Sequence, residues 1–348
     1  MAVAAKPHLL FFPFPAQGHI TPAFQLPSLL HRCHGFDVTF VHTEHNRRRL
    51  LRACGPDALA EAPPGTTIDW APGLPKDTRL RDFPSFVRTT DPDDAVLALM
   101  LRLMECHRTV PSAIIFHTLE ELERQVIGAM SDILPPIYAV GPLPLLLGQA
   151  GDPAGVGTPS STSLSKEDRA CLDWLDAKRP SSVVFVSFGS VVKLADEQLL
   201  ELAWGLANSG HEFLWERPAA GRSATGPRGG DGGEGLVTSW CPQEAVLRPE
   251  AVGAFVTHCG WNSMLESLSA GVPMLCWPCV GDQQTNSRMA CTEWRVGMQI
   301  GEEPSREEVE AVIRQVMGGE RGEELRRSAA EWKEKAALAT RWPGGSAW

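Results

Sequence analysis

Basic residues are in deficit. The 32 Lys and Arg are outnumbered by 42 Asp and Glu, for a formal net charge of −10 and a pI near 5.5. A surface of that sign repels phosphate polyanions and anionic lipid, which argues against general affinity for nucleic acid or a membrane surface. Any anionic ligand must then be met by donors placed locally. No apolar run approaches membrane length. Residues 9–14 are apolar but few, are interrupted by Pro13, and are followed by no signal-type cleavage pattern. The nine cysteines follow no repeating frame, and an odd, scattered set reads as reduced thiols of a cytosolic protein. Cys276-Trp277-Pro278-Cys279 has the spacing of a redox motif, but it falls on a strand and loop, not at a helix start that would lower a thiol pKa. No Asp/His cluster with metal-ligand spacing is present. The first strand is not followed by G-x-G-x-x-G, which removes the usual mark of a nicotinamide-dependent oxidoreductase.

What is present is an ordinary globular composition, 43% hydrophobic and 21% charged over 348 residues, enough for two cores. Apolar runs at 8–14, 37–43, 112–117 and 137–140 read as strands of a first domain, residues 1–147. Helical spacing covers 93–107 and 120–130. Residues 46–54, with Arg47, Arg48 and Arg49, read as a solvated helix face, and 61–92 as loop. Residues 148–163 are Gly, Ala, Pro, Ser and Thr with almost no apolar bulk and mark a linker. A second domain, 164–348, follows, with strands at 182–186, 211–215, 254–259 and 273–278 and helices at 171–176, 196–207, 262–270, 285–294, 307–317 and 323–340. The Gly-rich run within 219–235 reads as a surface loop, because neither a strand before it nor a helix after it is in register for a phosphate loop.

Ligand-type residues concentrate between Trp240 and Gln283. There a strand ending at His258-Cys259 passes through Gly260 into a helix stopped by Gly271, and a second strand opens into Asp282-Gln283. Parallel strands deliver both loops to one sheet edge, where open α/β sheets bind ligands. A helix start there offers unpaired N–H groups and the positive end of the macrodipole to a phosphate, with His258 and Ser263 as further donors. Local pattern leaves other readings open. Ser263-Met264-Leu265-Glu266 also fits a capping box, and His258 alone also fits a satisfied core histidine.

Trp240, Gln243, His258, Trp261, Asn262, Ser263, Glu266, Asp282 and Gln283, in this order and spacing, resemble the signature box of plant UDP-sugar-dependent glycosyltransferases. The resemblance implies a GT-B fold, two Rossmann-like parallel-sheet domains, and a UDP-sugar donor. It assigns Trp240 to stacking on uracil and Glu266 to the ribose hydroxyls. His258, Asn262 and Ser263 fall to the diphosphate, Asp282 and Gln283 to the sugar hydroxyls beside Trp261, and Ser190, in the turn after the strand at 182–186, to the donor phosphates. Gln283 in the last position resembles the glucose-preferring form. The opening stretch 12–20 resembles the family motif whose histidine is the general base, here His19, which deprotonates a small hydroxylated acceptor. The implied reaction is inverting and needs neither cofactor nor metal. Stretches such as RLRDFPSFVRTTDPDD and PPIYAVGPL resemble the branch that glucosylates small hydroxylated metabolites and cyanohydrins.

The chain departs from that pattern twice. Between Ala62 and Thr66 on the order of a hundred residues of the family pattern are missing, including the aspartate that orients the catalytic histidine and much of the acceptor pocket. At the far end it stops at Trp348, before the helix that crosses back to the first domain. The first domain is therefore expected to be incomplete. A second expectation follows: a donor-binding relic with little turnover.

Overall fold

The computed structural model describes residues 8–11, 37–40, 65, 67–68, 71–84, 87–88, 94–150, 167–217 and 235–341. The expected features at His19, at 46–54, in the Gly-rich run 219–234 and over most of the linker lie outside these residues.

The second half is built on a six-stranded sheet. Its strands are β5 (Val183–Ser187), β6 (Glu212–Glu216), β7 (Gly235–Thr238), β8 (Val252–Thr257), β9 (Met274–Cys276) and β10 (Gly297–Gln299), in the order β10-β9-β8-β5-β6-β7, with every neighbouring pair parallel. The central strands β5, β8 and β9 are buried throughout, so their sequences run apolar without alternation, as strands covered on both faces do. Their side chains still divide by parity. Val183, Phe185, Phe255 and Met274 face helices Ala170–Asp176, Gln243–Leu247 and Trp261–Ala270. Val184, Val186, Ala254, Val256 and Leu275 face helices Asp196–Ser209 and Arg306–Gly318. The long final helix Glu320–Ala339 adds Leu325 to the second of these clusters and Ala329 and Ala336 to the first.

In the first half, β1 (His8–Phe11) pairs with β2 (Asp37–Phe40), and β3 (Ile114–Phe116) with β4 (Ile137–Ala139), both parallel. Helices α1 (Ala95–Thr109), α2 (Glu120–Ser131) and α3 (Leu143–Ala150) accompany them. Continuing in chain order, the second-half helices are α4 (Ala170–Asp176), α5 (Asp196–Ser209), α6 (Gln243–Leu247), α7 (Trp261–Ala270), α8 (Gln283–Thr292), α9 (Arg306–Gly318) and α10 (Glu320–Ala339).

Several elements differ from expectation. Helix α3 takes up the first residues read as linker, because 143–147 supply apolar bulk ahead of Gly148 and nothing before Ala150 breaks the turn. The short elements β7, α6 and β10 were not anticipated, since three to five residues show too little periodicity to register. Helix α8 begins at Gln283, two residues earlier than its apolar spacing suggests. The segment 71–84 is loop as expected, except for one 3-10 turn, Leu80–Asp82. Gly73, at φ +81°, packs there against the backbone of α2, where a β-carbon would lie 2.8 Å from the Gln125 carbonyl oxygen.

The Phe185 and Phe255 rings stack at 4.9 Å between the two strands that carry the site. Phe255→Ala should cost about 3–5 kcal/mol by cavity formation. Urea unfolding measures this, and a loss under 1 kcal/mol would contradict the packing described.

Candidate active site at the edge of the second sheet

Strands β5, β6 and β7 run outward on one side of the sheet, and the chain then returns to place β8 on the other side of β5. The C-terminal ends of β5 and β8 therefore flank a topological switch point, the crevice where open parallel sheets hold ligands. Ser187 is in register with Thr257, and Thr257 with Cys276, so the loops leaving β5, β8 and β9 emerge side by side.

His258 leaves β8 into this crevice. Its ring lies between two glycines: a β-carbon at Gly189 would fall 2.9 Å from its Cε1, and one at Gly260 would fall 2.4 Å from its Nε2. Gly189 also takes φ +64°, a conformation that disfavours any side chain. Burial lowers the His258 pKa to about 4, with the Ser187 backbone acting weakly the other way, so the imidazole is neutral. Its Nδ1 is buried, and the Ser187 backbone is the polar group that faces the ring. Cys259 takes φ +64°, a strained value for a residue with a side chain. It is held by the Thr257 hydroxyl, which accepts from its N–H at 3.1 Å, and by Asn286 Nδ2, which donates to its carbonyl at 3.0 Å.

Gly260 caps α7 and itself brings no side chain to the helix start. Its first-turn N–H groups, at Trp261, Asn262 and Ser263, point toward the sheet edge with the positive end of the dipole. The capping box is not formed. With the cap at Gly260, Ser263 is already third in the helix and Glu266 is a turn further on. Both are instead gathered by Gln243, whose Nε2 donates to Ser263 Oγ at 2.8 Å and to Glu266 Oε2 at 2.7 Å. Burial raises the Glu266 carboxyl to about 7, with Gln243 opposing the shift.

The other expected residues occupy the rim. Trp240 is half-buried in the turn after β7, and its carbonyl accepts from the Asp168 N–H at 2.7 Å. Asp168 also accepts from the Thr238 hydroxyl at 3.0 Å, which ties the end of β7 to the chain entering α4. Ser190 is exposed in the turn after β5. Asp282 caps α8 and accepts from Asn286 Nδ2 at 3.0 Å. Gln283 Oε1 accepts from the N–H groups of Cys279 and Val280 at 2.9 and 2.8 Å and so closes the loop after β9. Trp261 donates from Nε1 to the His117 carbonyl at 2.7 Å and meets Trp294 edge to face. A pocket runs along α7 between the two halves, lined by Asn262 and Glu266 together with His117, Pro142, Leu145 and Arg248. Trp240, His258, Asp282 and Gln283 do not line it.

Sequence reasoning missed two residues here. Glu216, 3% exposed at the end of β6, accepts from Cys241 Sγ at 3.3 Å and faces the Ser187 hydroxyl. Burial raises it to about 7. Its signal was visible, as an acid closing the apolar strand EFLWE. Asn286, which joins the α8 cap to Cys259, carried none beyond its place one turn after Asp282. In the Cys276/Cys279 pair, burial pushes the Cys279 thiol up to about 11, and the hydrogen bond with Cys259, together with burial, puts Cys276 well above its ordinary value.

Two outcomes test this geometry. Glu266 is raised in the folded state, so its contribution to stability is full below the unfolded value near 4.5 and is lost as pH climbs to about 7. The Glu266 contribution should therefore fall by about 1–3 kcal/mol between pH 4.5 and 7.5, opposed over the same range by His258, whose lowered pKa makes its contribution grow as pH rises, so Glu266→Gln should tilt the measured stability slope upward with pH in denaturant titrations. An unchanged slope would show that the carboxyl ionises normally. Gly260→Ala should displace the imidazole and cost about 1–3 kcal/mol of stability in denaturant titrations, and an unchanged midpoint would contradict the wedge of His258 between the two glycines.

Residues 101–327 match the family model described as UDP-glucoronosyl and UDP-glucosyl transferase. UDP-glycosyltransferase 85A7 of Arabidopsis thaliana is 36% identical over 470 positions, covering 99% of this chain and 95% of the relative. The (R)-mandelonitrile beta-glucosyltransferase of Prunus dulcis is also 36% identical over 470 positions, covering 99% and 96%. An alignment of 470 positions against a chain of 348 residues leaves at least 122 positions with no residue of this chain. Among solved structures, that of Phytolacca americana UGT2 complexed with UDP-2fluoro-glucose and pterostilbene superposes with a TM-score of 0.76 at 23% identity, covering 97% of this chain and 96% of that one. Os79 from O. sativa in complex with UDP gives 0.75 at 24%, covering 95% of each. These likenesses establish the GT-B fold, and the sequence relationships go further: the chain is a member of the UDP-glucoronosyl and UDP-glucosyl transferase family.

Proposed function

We propose that this chain binds UDP-glucose at the crevice between β5 and β8 and transfers glucose, with inversion, to the hydroxyl of a small apolar plant metabolite. The observation that carries the reading is the cluster at that crevice: a neutral His258 between two glycines, beside a helix start capped by Gly260 and a Gln243–Ser263–Glu266 network. Each part suits one part of the donor. The N–H groups of α7, with Ser263, Asn262, Ser190 and a neutral imidazole, meet the charge that develops on the departing diphosphate. On this reading neither a metal nor a cofactor is required. Glu266 accepts from ribose hydroxyls, the half-buried Trp240 stacks on uracil, and Asp282 and Gln283 hold the sugar hydroxyls beside Trp261. The acceptor class follows the relative named for mandelonitrile, a cyanohydrin. A cytosolic setting accords with the described cysteines, which are all free thiols.

His19 is the general base in this reading. A base histidine needs a carboxylate to fix its tautomer and stabilise the imidazolium. Of the acids following the junction at Ala62 to Thr66, Asp69 lies outside the described residues, and Asp77 and Asp82 are both ion-paired to Arg288, at 2.6 and 3.6 Å. Donor binding is therefore expected to outlast efficient turnover, with the chain as written transferring glucose several powers of ten more slowly than a full-length relative.

The test is to measure UDP affinity and glucose transfer to a panel of cyanohydrins, phenols and terpenols. Trp240→Ala should weaken UDP binding by about 1–3 kcal/mol, and an unaltered dissociation constant would remove the stacking role. Substitution of Gln283 should change sugar preference more than UDP affinity. Transfer as fast as that of a full-length relative would refute the account of His19.

A further inference from the structure

The segment 71–82 bridges the two halves. On one side Gly73 is seated against the backbone of α2, where any β-carbon would collide with Gln125 and Val126. On the other, the segment is fastened to the outer face of α8. Thr285 Oγ1 donates to the Asp82 carbonyl at 2.7 Å, and one turn along Arg288 reaches two acids, Asp77 at 2.6 Å through Nη2 and Asp82 at 3.6 Å through Nε. Asp82 is pre-set for this, because its carboxylate also accepts from the Arg79 N–H at 2.8 Å across the 3-10 turn. The side chains of Arg288 and Asp82 are only 17% and 13% exposed, so this pair is less screened than a surface salt bridge. The Arg288 guanidinium holds the Asp77 carboxyl below its ordinary pKa.

What α8 presents elsewhere gives the fastening its significance. Residues 285 and 288 share one face of the helix, while Gln283, Asn286, Ser287 and Ala290 are buried on the other. The first turn is tied to the loop after β9 by Gln283 and to the β8–α7 turn by Asn286. Both ties come from the second half. The tie through Thr285 and Arg288 comes from the first.

We propose that Arg288 is a positioning residue for the sugar end of the donor: it latches residues 77–82 onto α8 and thereby fixes Asp282 and Gln283 relative to both halves of the molecule. This rests on the donor-site reading above. The nucleoside and diphosphate contacts belong to α7, the Trp240 turn and the turns after β5 and β8, which Arg288 does not touch and which α8 reaches only through the bond from Asn286 to the Cys259 carbonyl. Loss of the latch should therefore be felt through the glucose moiety and not through UDP.

The experiment is calorimetric titration of the full chain with UDP and with UDP-glucose, read as the ratio of the two dissociation constants. In Arg288→Ala the preference for UDP-glucose over UDP should fall about three- to tenfold while UDP affinity stays within twofold. Arg288→Lys should lie between, because an ammonium can engage one acid but cannot fork to two. Asp77→Asn, at a carboxylate 73% exposed, should lower the ratio less, and combining it with Arg288→Ala should add nothing further. A ratio unchanged in Arg288→Ala, or an equal loss for both ligands, overturns the latch. Should Arg288→Ala fail to fold, Arg288→Lys and Asp77→Asn decide, and an unchanged ratio in both overturns it equally. Failure of the unmodified chain to bind UDP would instead remove the donor-site reading, and the latch's role with it.

Discussion

The imidazole of His258 occupies space that exists only because residues 189 and 260 have no β-carbon. The rest of the crevice depends on that fit. With the ring wedged between two backbone segments, β5 and β8 must end in register, and the turn at Cys259 must adopt its strained conformation to reach α7. Burial that tight also settles the charge of the ring, because a cation there would be stripped of water with no anion to compensate. The site therefore meets an anionic ligand with dipoles and neutral donors. Such groups are fixed by the backbone and need little reorganisation as charge develops.

The fold of the second half was legible because its central strands are buried on both faces and bounded by Gly and Pro. Phe255, Val256 and Thr257 could hardly be anything but a strand ahead of Gly260. The edge strands were not legible. β7 and β10 contribute few buried side chains, so their identity is decided by pairing with β6 and β9, a tertiary fact with no local signature. At the site, the positions of Gln243, Ser263 and Glu266 could be read from their spacing, but their mutual hydrogen bonding could not. Local pattern offered a capping box, and long-range geometry replaced it with a bond across residues 20 and 23 apart. Glu216 was passed over because an acid ending a strand usually faces water, whereas here β7 and Cys241 cover it.

Among the described residues, the polar contacts between the two halves fall on the helices that begin at the sheet edge. Helix α7 is joined to the first half by Trp261 and the His117 carbonyl, and α8 by Thr285 and Arg288. His117 also accepts the Leu143 N–H at its Nε2, so in its neutral form the ring proton is on Nδ1. Any change in the packing of the first half is thus transmitted first to the helices that carry the ligand-type residues, while the sheet behind them is insulated by its two apolar layers.

Glu216 and Glu266 both titrate near neutrality in the ligand-free protein. The formal charge of −10 counts each of them as fully ionised. At pH 7 each is about half protonated, so the folded chain holds roughly one proton more than its sequence implies. Unfolding at that pH releases that proton to the buffer, while His117 and His258, neutral when folded, regain part of their ordinary basicity. The charge difference between the native molecule and its own denatured chain is accordingly the balance of two carboxyls that hold protons and two imidazoles that shed them.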